Sequence, residues 1–146
     1  MFSLLLILNF TATAVMTGVI WTIQLVHYPF FHRVDKNYFG SHMDEHRKTI
    51  SFIVMPVMLI ELASAIGLVL IGSNYKWVFN LALILLVLIW LSTALLQVPA
   101  HAKLANGYSK TETNKLVKSN WLRTLLWSLR LSILVYVLSY QSFFHQ

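Results

Sequence analysis

The chain has 146 residues, of which 58% are hydrophobic and 11% charged, and its formal net charge is +6. A chain of this length cannot bury so much apolar surface in a soluble core, because small domains keep much of their surface exposed, so the composition excludes an ordinary soluble domain. Cysteine is absent, which excludes disulfides, thiolate metal ligands and cysteine nucleophiles and leaves imidazole, carboxylate or water to hold any metal.

Four segments are apolar over roughly 20 residues, the length that crosses the hydrocarbon core of a membrane as a helix. The sequence predicts these helices at about residues 2–27, 42–72, 76–99 and 120–141. Turn-forming residues between the second and third segments, at 72–76, make those two helices antiparallel neighbours. The predicted fold is therefore all-α, a single domain that forms an up-and-down four-helix bundle integral to a membrane.

The basic residues indicate how the bundle is oriented. The first loop with its flanking helix starts carries four Lys and Arg residues and the third loop carries five, whereas the second loop has only Lys76. By the positive-inside rule, this predicts that loops one and three are cytoplasmic and that both termini lie outside, in the cell (inner) membrane. Because the basic residues border apolar runs, orientation in the bilayer explains the positive charge, and nucleic acid is not an expected partner.

Five of the six histidines lie just outside the apolar runs, on what this topology makes a single membrane face: His27, His32, His42, His46 and His101. His42 and His46 are four residues apart at the start of the second helix, so their side chains share one face and can chelate one metal ion. His27 and His101 follow helices one and three at the depth where helix two begins. The sequence predicts that these four hold a metal, with Glu45 as a further ligand or as the group that orients one.

Other roles for these side chains stay open. A pair of histidines on a helix that enters the membrane is also typical of ordinary polar contacts at the interface. His32 follows Phe30 and Phe31 in a loop that can turn it to water, which makes it the poorer ligand candidate. His145 lies near the opposite end of the bundle and is not expected to reach the cluster.

Helices one and three end in similar motifs. Residues 24–29 read Gln-Leu-Val-His-Tyr-Pro, and residues 97–101 read Gln-Val-Pro-Ala-His. Each motif combines a glutamine still inside the apolar run with a proline expected to end the helix. Gln24 and Gln97, with Asn120 at the start of helix four, are predicted to orient ligands or substrate.

Two ionisable residues lie deep within the apolar runs. Glu61 and Arg130 are predicted at a similar depth, about 14 to 17 Å below the cytoplasmic edge at 1.5 Å per residue. A charge there normally faces the bundle interior and finds a partner. The residue types allow a structural ion pair, a protonated Glu61 bonded to a nearby serine, or a pocket that binds a substrate carbonyl or relays a proton.

Helix four places Arg123 and Trp127 on the same stripe as Arg130. Arg123 either contacts lipid phosphate or takes part in catalysis. Trp127 is a candidate for substrate binding. Glu61, Arg123 and Arg130 are thus the candidate catalytic residues.

Three motifs carry a resemblance to a known group. They are Met55-Pro56 in the second helix, Gln97-Val98-Pro99 at the end of the third, and Asn120-Trp121-Leu122-Arg123-Thr124 at the start of the fourth. With these motifs the chain resembles, over most of its length, the anthrone oxygenase-like group of small four-helix membrane proteins. Some members of that group are implicated in oxidising polycyclic aromatic substrates. The group favours Pro-x-Asn after helix three, where this chain has Pro99-Ala100-His101 and so an additional imidazole.

Together these features predict a metal-dependent oxidoreductase or oxygenase in the membrane, whose lipophilic substrate enters between the helices. All-imidazole ligation with carboxylate support suits iron, copper or zinc. An alternative is a b-type haem protein similar to the protoporphyrinogen oxidase group, with the histidines as axial ligands and Arg123 or Arg130 on a propionate. Another alternative is a non-enzymatic proton or ion conductor that uses Glu61. Membrane lipid is an expected partner, and homo-oligomerisation stays open.

Overall fold

The computed structural model describes residues 1–71 and 75–144, with side chains to residue 140. Within this part of the chain, four helices are long and apolar enough to cross a membrane. They are α1 (Phe2–Arg33), α2 (Phe39–Ile71), α3 (Lys76–Leu104) and α4 (Lys110–Phe144). α1 packs against α2 and α4, and α3 packs against the same two helices. The predicted all-α four-helix bundle is confirmed, and its helices are those that an integral membrane protein requires.

Contacts between neighbouring helices run in opposite order along the two helices, so each pair is antiparallel. Asn9, early in α1, bonds Ser64, late in α2, whereas His27, late in α1, stacks on His46, early in α2. The same inverse order relates α1 to α4 and α3 to α4. The bundle is therefore up-and-down. Most of the turn predicted between the second and third helices, residues 72–74, lies outside the described residues.

The core consists of three layers of buried side chains along the bundle axis. The layer beside the histidines contains three aromatic side chains, Tyr28, Phe31 and Phe39, together with aliphatic ones such as Met43 and Leu116. The middle layer contains Met16, Ile20, Met58, Ile89 and Trp127, and the far layer contains Leu6, Leu68, Val78, Phe79, Leu134 and Val137. Large apolar side chains such as Phe52, Leu70 and Leu95 are exposed on the outside. This outer surface is suited to lipid, because soluble monomers rarely expose large contiguous apolar patches.

α1 and α3 each contain one π-helical turn, at Ile23–His27 and Thr93–Gln97. In both helices a proline, Pro29 or Pro99, follows two residues after that turn. Proline has no N–H and its ring clashes with the carbonyl four residues earlier, so an α-helix cannot run through it undisturbed. The wider π turn absorbs this conflict. Both helices therefore continue for about another turn beyond the proline, and the expectation that they end at 27 and 99 is corrected.

α4 also begins earlier than the sequence suggests, at Lys110 instead of residue 120. Thr113, Leu116 and Asn120 in this first part are buried. Their spacing of three and four residues gives the polar segment one face that packs on the bundle, which the low overall hydropathy of the segment conceals. As a result the start of α4 lies next to the end of α3 and the first loop.

Candidate functional site

The side chains of His27, His46 and His101 meet from three different helices at one end of the bundle. The ring centroids of His27 and His46 are 4.2 Å apart, with their planes inclined by 33°. Those of His46 and His101 are 6.0 Å apart and inclined by 26°. His42 lies one turn before His46 on α2, and both rings are within 6.3 Å of the buried ring of Phe31. The structure thus brings together the imidazoles that the sequence singled out, and we call His27, His42, His46 and His101 the histidine cluster.

The hydrogen bonds of the cluster leave several imidazole nitrogens available for a ligand. Nε2 of His27 and Nε2 of His42 are buried and have no hydrogen-bond partner. Buried polar atoms are normally paired with protein or water, so each of these nitrogens requires an explanation. Nδ1 of His101 lies 2.8 Å from the carbonyl oxygen of Gln97 and carries the proton, because a carbonyl only accepts. Its Nε2 is then an acceptor, 3.5 Å from the hydroxyl of Tyr28.

The imidazoles do not form a coordination shell in the conformation described. His46 stacks against His101 and lies tilted against His27, whereas ligands of one ion direct their nitrogens at a common centre about 2.0–2.1 Å away. In residues 1–71 and 75–140, no group of three or more His, Cys, Asp or Glu side chains is placed to hold a metal ion. Coordination would require these rings to change rotamer on helices that are already in place.

The remaining candidate ligands lie apart from the cluster. Glu45 is exposed, and its carboxylate has no hydrogen bond or ion pair with any described residue. His32 is also exposed, and its Nδ1 lies 3.1 Å from the hydroxyl of Tyr108. His145 lies outside the described residues.

A cavity of about 160 Å³ opens beside the cluster, between α2 and α3. One end of this α2–α3 cavity is polar, and its lining includes Tyr28, His46, Gln97, His101 and Arg123. The other end is apolar, with Val54, Met55, Met58, Trp90 and Val98. Met55 and Val98 are 45% and 57% exposed on the lipid-facing surface. The cavity therefore connects the cluster with the region that lipid occupies.

Arg123 contributes an unpaired positive charge to this cavity. Its side chain is only 6% exposed, its Nε has no hydrogen-bond partner, and no described carboxylate forms an ion pair with it. The guanidinium instead lies over the ring of Trp127, with its central carbon 5.2 Å from the ring centroid, a favourable cation–π arrangement.

Gln97 also presents an unsatisfied group to the cavity. Its Nε2 donates to the Ser119 hydroxyl at 3.0 Å, while its Oε1 is buried without a partner.

A second polar network lies deeper in the bundle around Glu61. Nε of Arg130 is 2.9 Å from Glu61 Oε1, and both side chains are fully buried. The hydroxyl of Thr13 donates to the same oxygen at 2.7 Å, and the indole N–H of Trp127 donates to Oε2 at 3.3 Å. Both carboxylate oxygens are therefore occupied.

The guanidinium of Arg130 likewise has hydrogen-bond acceptors on several sides. Besides Glu61, it donates to Oδ1 of Asn9 at 2.9 Å and to the carbonyl of Ala82. Asn9 in turn donates to the hydroxyl of Ser64 at 2.9 Å. This network joins all four helices, as the structural interpretation of the pair requires.

Gln24 and Asn120 bond each other instead of facing the cavity. The Asn120 amide donates to Gln24 Oε1 at 2.8 Å, and the Gln24 amide donates to the carbonyl of Val117 at 3.3 Å. These bonds join α1 to α4. Of the residues predicted to bind substrate, Gln97 lines the cavity and Trp127 supports Arg123.

Tyr28 and Trp90 also line the cavity, although no sequence pattern pointed to either. The sequence signal that could have identified Tyr28 is its position next to His27, in the motif that ends the first apolar run. Trp90 lies inside a long apolar run, where no pattern distinguishes a cavity-lining ring from one that faces lipid.

No family model, curated protein or solved structure matches the chain. The likeness to the anthrone oxygenase-like group thus stays a prediction from motifs.

Proposed function

We propose that this integral membrane protein holds a transition metal ion, iron, copper or zinc, with the histidine cluster and uses it in oxidoreductase chemistry on a lipophilic substrate. One observation carries the proposal. Imidazoles from α1, α2 and α3 meet at one level, with centroid separations of 4.2 and 6.0 Å. Imidazole is the ligand type that these three metals share.

The state of the individual nitrogens supports this function. Nδ1–H of His101 donates a hydrogen bond to the backbone carbonyl of Gln97, which is how proteins orient a histidine whose other nitrogen binds metal. The unpartnered Nε2 atoms of His27 and His42 would gain a partner on binding. When bound, such an ion supplies Lewis-acid or redox chemistry at any open coordination position.

One side of the cluster packs on the buried core. Phe31 is fully buried and its ring contacts those of His27 and His46. The α2–α3 cavity gives a lipophilic molecule a route to the cluster from the side. A site with this position suits a substrate that is dissolved in the membrane.

The two alternative functions have less support. A porphyrin cannot lie between the rings of His27 and His46, because their centroids are only 4.2 Å apart. A conductor based on Glu61 needs a carboxylate that exchanges protons, but both oxygens of Glu61 accept hydrogen bonds from buried groups. No observation in the described residues specifically favours either alternative.

Metal content measured by mass spectrometry tests the proposal. Protein purified in detergent is stripped with a chelator, reloaded separately with each of the three metals, and washed. We expect about one ion per chain, and loss of that ion in His46→Ala and in His101→Ala. His32→Ala is the matched control and should keep the ion. Equal metal content in all of these proteins, or no retained metal in any of them, would overturn the proposal.

A further inference from the structure

We propose that the α2–α3 cavity binds the ionised carboxylate of a single-chain lipophilic acid, with Arg123 as its anchor and the hydrocarbon chain left in the bilayer. This deepens the proposed function by naming its substrate class. It rests on that function for the reaction only, since the binding itself requires no metal.

Arg123 carries a charge that is buried and unpaired. A buried cation without a counterion is costly, and in membrane proteins such groups normally mark a ligand or a partner. No described carboxylate serves Arg123: Asp35 and Glu45 are exposed at the surface, and the other three pair with other basic residues. Glu61 is paired with Arg130, while Asp44 and Glu112 pair with basic residues of their own surface. Stacking on Trp127 supports the guanidinium from one side and leaves its hydrogen-bond donors without an acceptor.

The polar end of the α2–α3 cavity has the hydrogen-bond donors that a carboxylate requires. A guanidinium presents its N–H donors in a planar fork that matches the two oxygens of a carboxylate. Tyr28 and Gln97 line the same space, and the hydroxyl of Tyr28, which faces Nε2 of His101 at 3.5 Å, can turn to donate to an anion instead. Arg47 also lines the cavity, where its guanidinium pairs with Asp44 at 3.1 Å, so the unpaired positive charge is that of Arg123. An anion that enters therefore meets donors and positive charge, and the lining contains no carboxylate.

The size of the cavity and the direction in which it opens favour a single-chain acid. The cavity volume of about 160 Å³ is below the roughly 300–1,000 Å³ of pockets that enclose a whole drug-sized ligand. It accommodates a small head group and the first carbons of one chain. Met55 and Val98 at the mouth are lipid-facing, so the rest of the chain can stay among the acyl chains of the membrane. A phospholipid head with glycerol and two chains is too bulky for this space.

The position of the cavity links binding to the proposed chemistry. His46 and His101 belong to the lining, so a carboxylate held by Arg123 brings its first carbons next to the histidine cluster. The substrate class that follows is a fatty acid or another elongated lipophilic acid.

Photolabelling tests this inference in metal-free protein. The full chain is reconstituted in nanodiscs of neutral phosphatidylcholine and stripped with a chelator. It is then exposed to a fatty acid that carries a diazirine near its carboxyl end, and labelled peptides are mapped by mass spectrometry. We expect labels at residues 54–58 and 90–98, competition by oleate, and no competition by methyl oleate. In Arg123→Gln we expect about tenfold less labelling or lower, since charge-assisted hydrogen bonds are lost.

Matched variants keep the test decisive if Arg123→Gln fails to fold. Met55→Trp fills the mouth without removing a polar group and should reduce labelling, whereas Leu70→Trp changes another exposed apolar position on α2, away from the cavity, and should not. Arg33→Gln removes an exposed charge and should also label normally. Equal competition by methyl oleate or by phosphatidic acid, or unchanged labelling in both Arg123→Gln and Met55→Trp, would overturn the inference. Metal content is measured separately, so either proposal can fail while the other stands.

Discussion

Nε of Arg130 on α4 lies 2.9 Å from Oε1 of Glu61 on α2, and neither side chain is exposed. A charge near the middle of a bilayer costs on the order of 3 kcal/mol or more on insertion scales. Here each charged group meets the other, and hydrogen bonds to Thr13, Asn9 and Trp127 complete their environment. The pair therefore holds the centre of the bundle together and fixes the helices that carry the histidine cluster.

Glu61→Gln should destabilise the protein strongly. The change leaves the guanidinium of Arg130 buried without its counterion, which typically costs about 3–5 kcal/mol. Thermal unfolding in detergent, followed by circular dichroism, measures the effect. Adding Arg130→Met removes the unpaired charge, so the double variant should lose less stability than the sum of the two single changes.

Asp44→Asn is the control for that experiment. It breaks the surface pairs of Asp44 with Arg47 and Lys48, and exposed pairs contribute little. Stability should hardly change. A Glu61→Gln protein as stable as Asp44→Asn would contradict a structural role for the buried pair and return attention to Glu61 as a group that exchanges protons.

Gly40→Ala should destabilise the end of the bundle that carries the cluster. A Cβ at Gly40 would lie 2.8 Å from the backbone carbonyl oxygen of Ala105, so the start of α2 or the end of α3 must move. Overpacking of this kind typically costs about 1–3 kcal/mol. Unfolding temperature measures it, and Gly18→Ala is the control because its Cβ would meet nothing within 4 Å. Similar unfolding temperatures for the two variants would show that this contact is unimportant.

Pro99→Ala should weaken metal binding more than it changes stability. The new N–H at 99 can bond the carbonyl of Leu95 and convert the π turn to α-helix, which rotates later residues by about 100°. His101 would then turn away from His46. We expect about tenfold weaker metal binding in titrations. Pro56→Ala, in a helix without a π turn, should bind as the original protein does, and equal affinities for both variants would contradict this role of the turn.

The four helices and the common depth of the histidines could be predicted from the sequence, because both depend on local patterns. Apolar runs of about 20 residues identified the four spans, and residue counts placed Glu61 level with Arg130, which the 2.9 Å contact confirms. The extension of α4 back to Lys110 was not predicted, since that segment is polar overall and only its tertiary contacts make one face buried.

The orientation of side chains could not be predicted in the same way. Gln24 and Gln97 both precede a proline, yet one bonds Asn120 and the other lines the cavity. Gln24 is the second residue of its π turn and Gln97 the last residue of its own, so the two side chains leave their helices at different points of the turn. The unpaired state of Arg123 depends on where all the carboxylates lie in three dimensions, which no sequence spacing gives.

X-ray absorption spectroscopy of the metal-loaded protein is the most direct test of the central claim, that imidazoles from three helices bind one ion. The account predicts at least three nitrogen ligands at about 2.0–2.1 Å, with the outer-shell scattering of imidazole rings, and the loss of one ring in His101→Ala. A first shell of water or carboxylate oxygens, or a spectrum that does not change in His101→Ala, would contradict it.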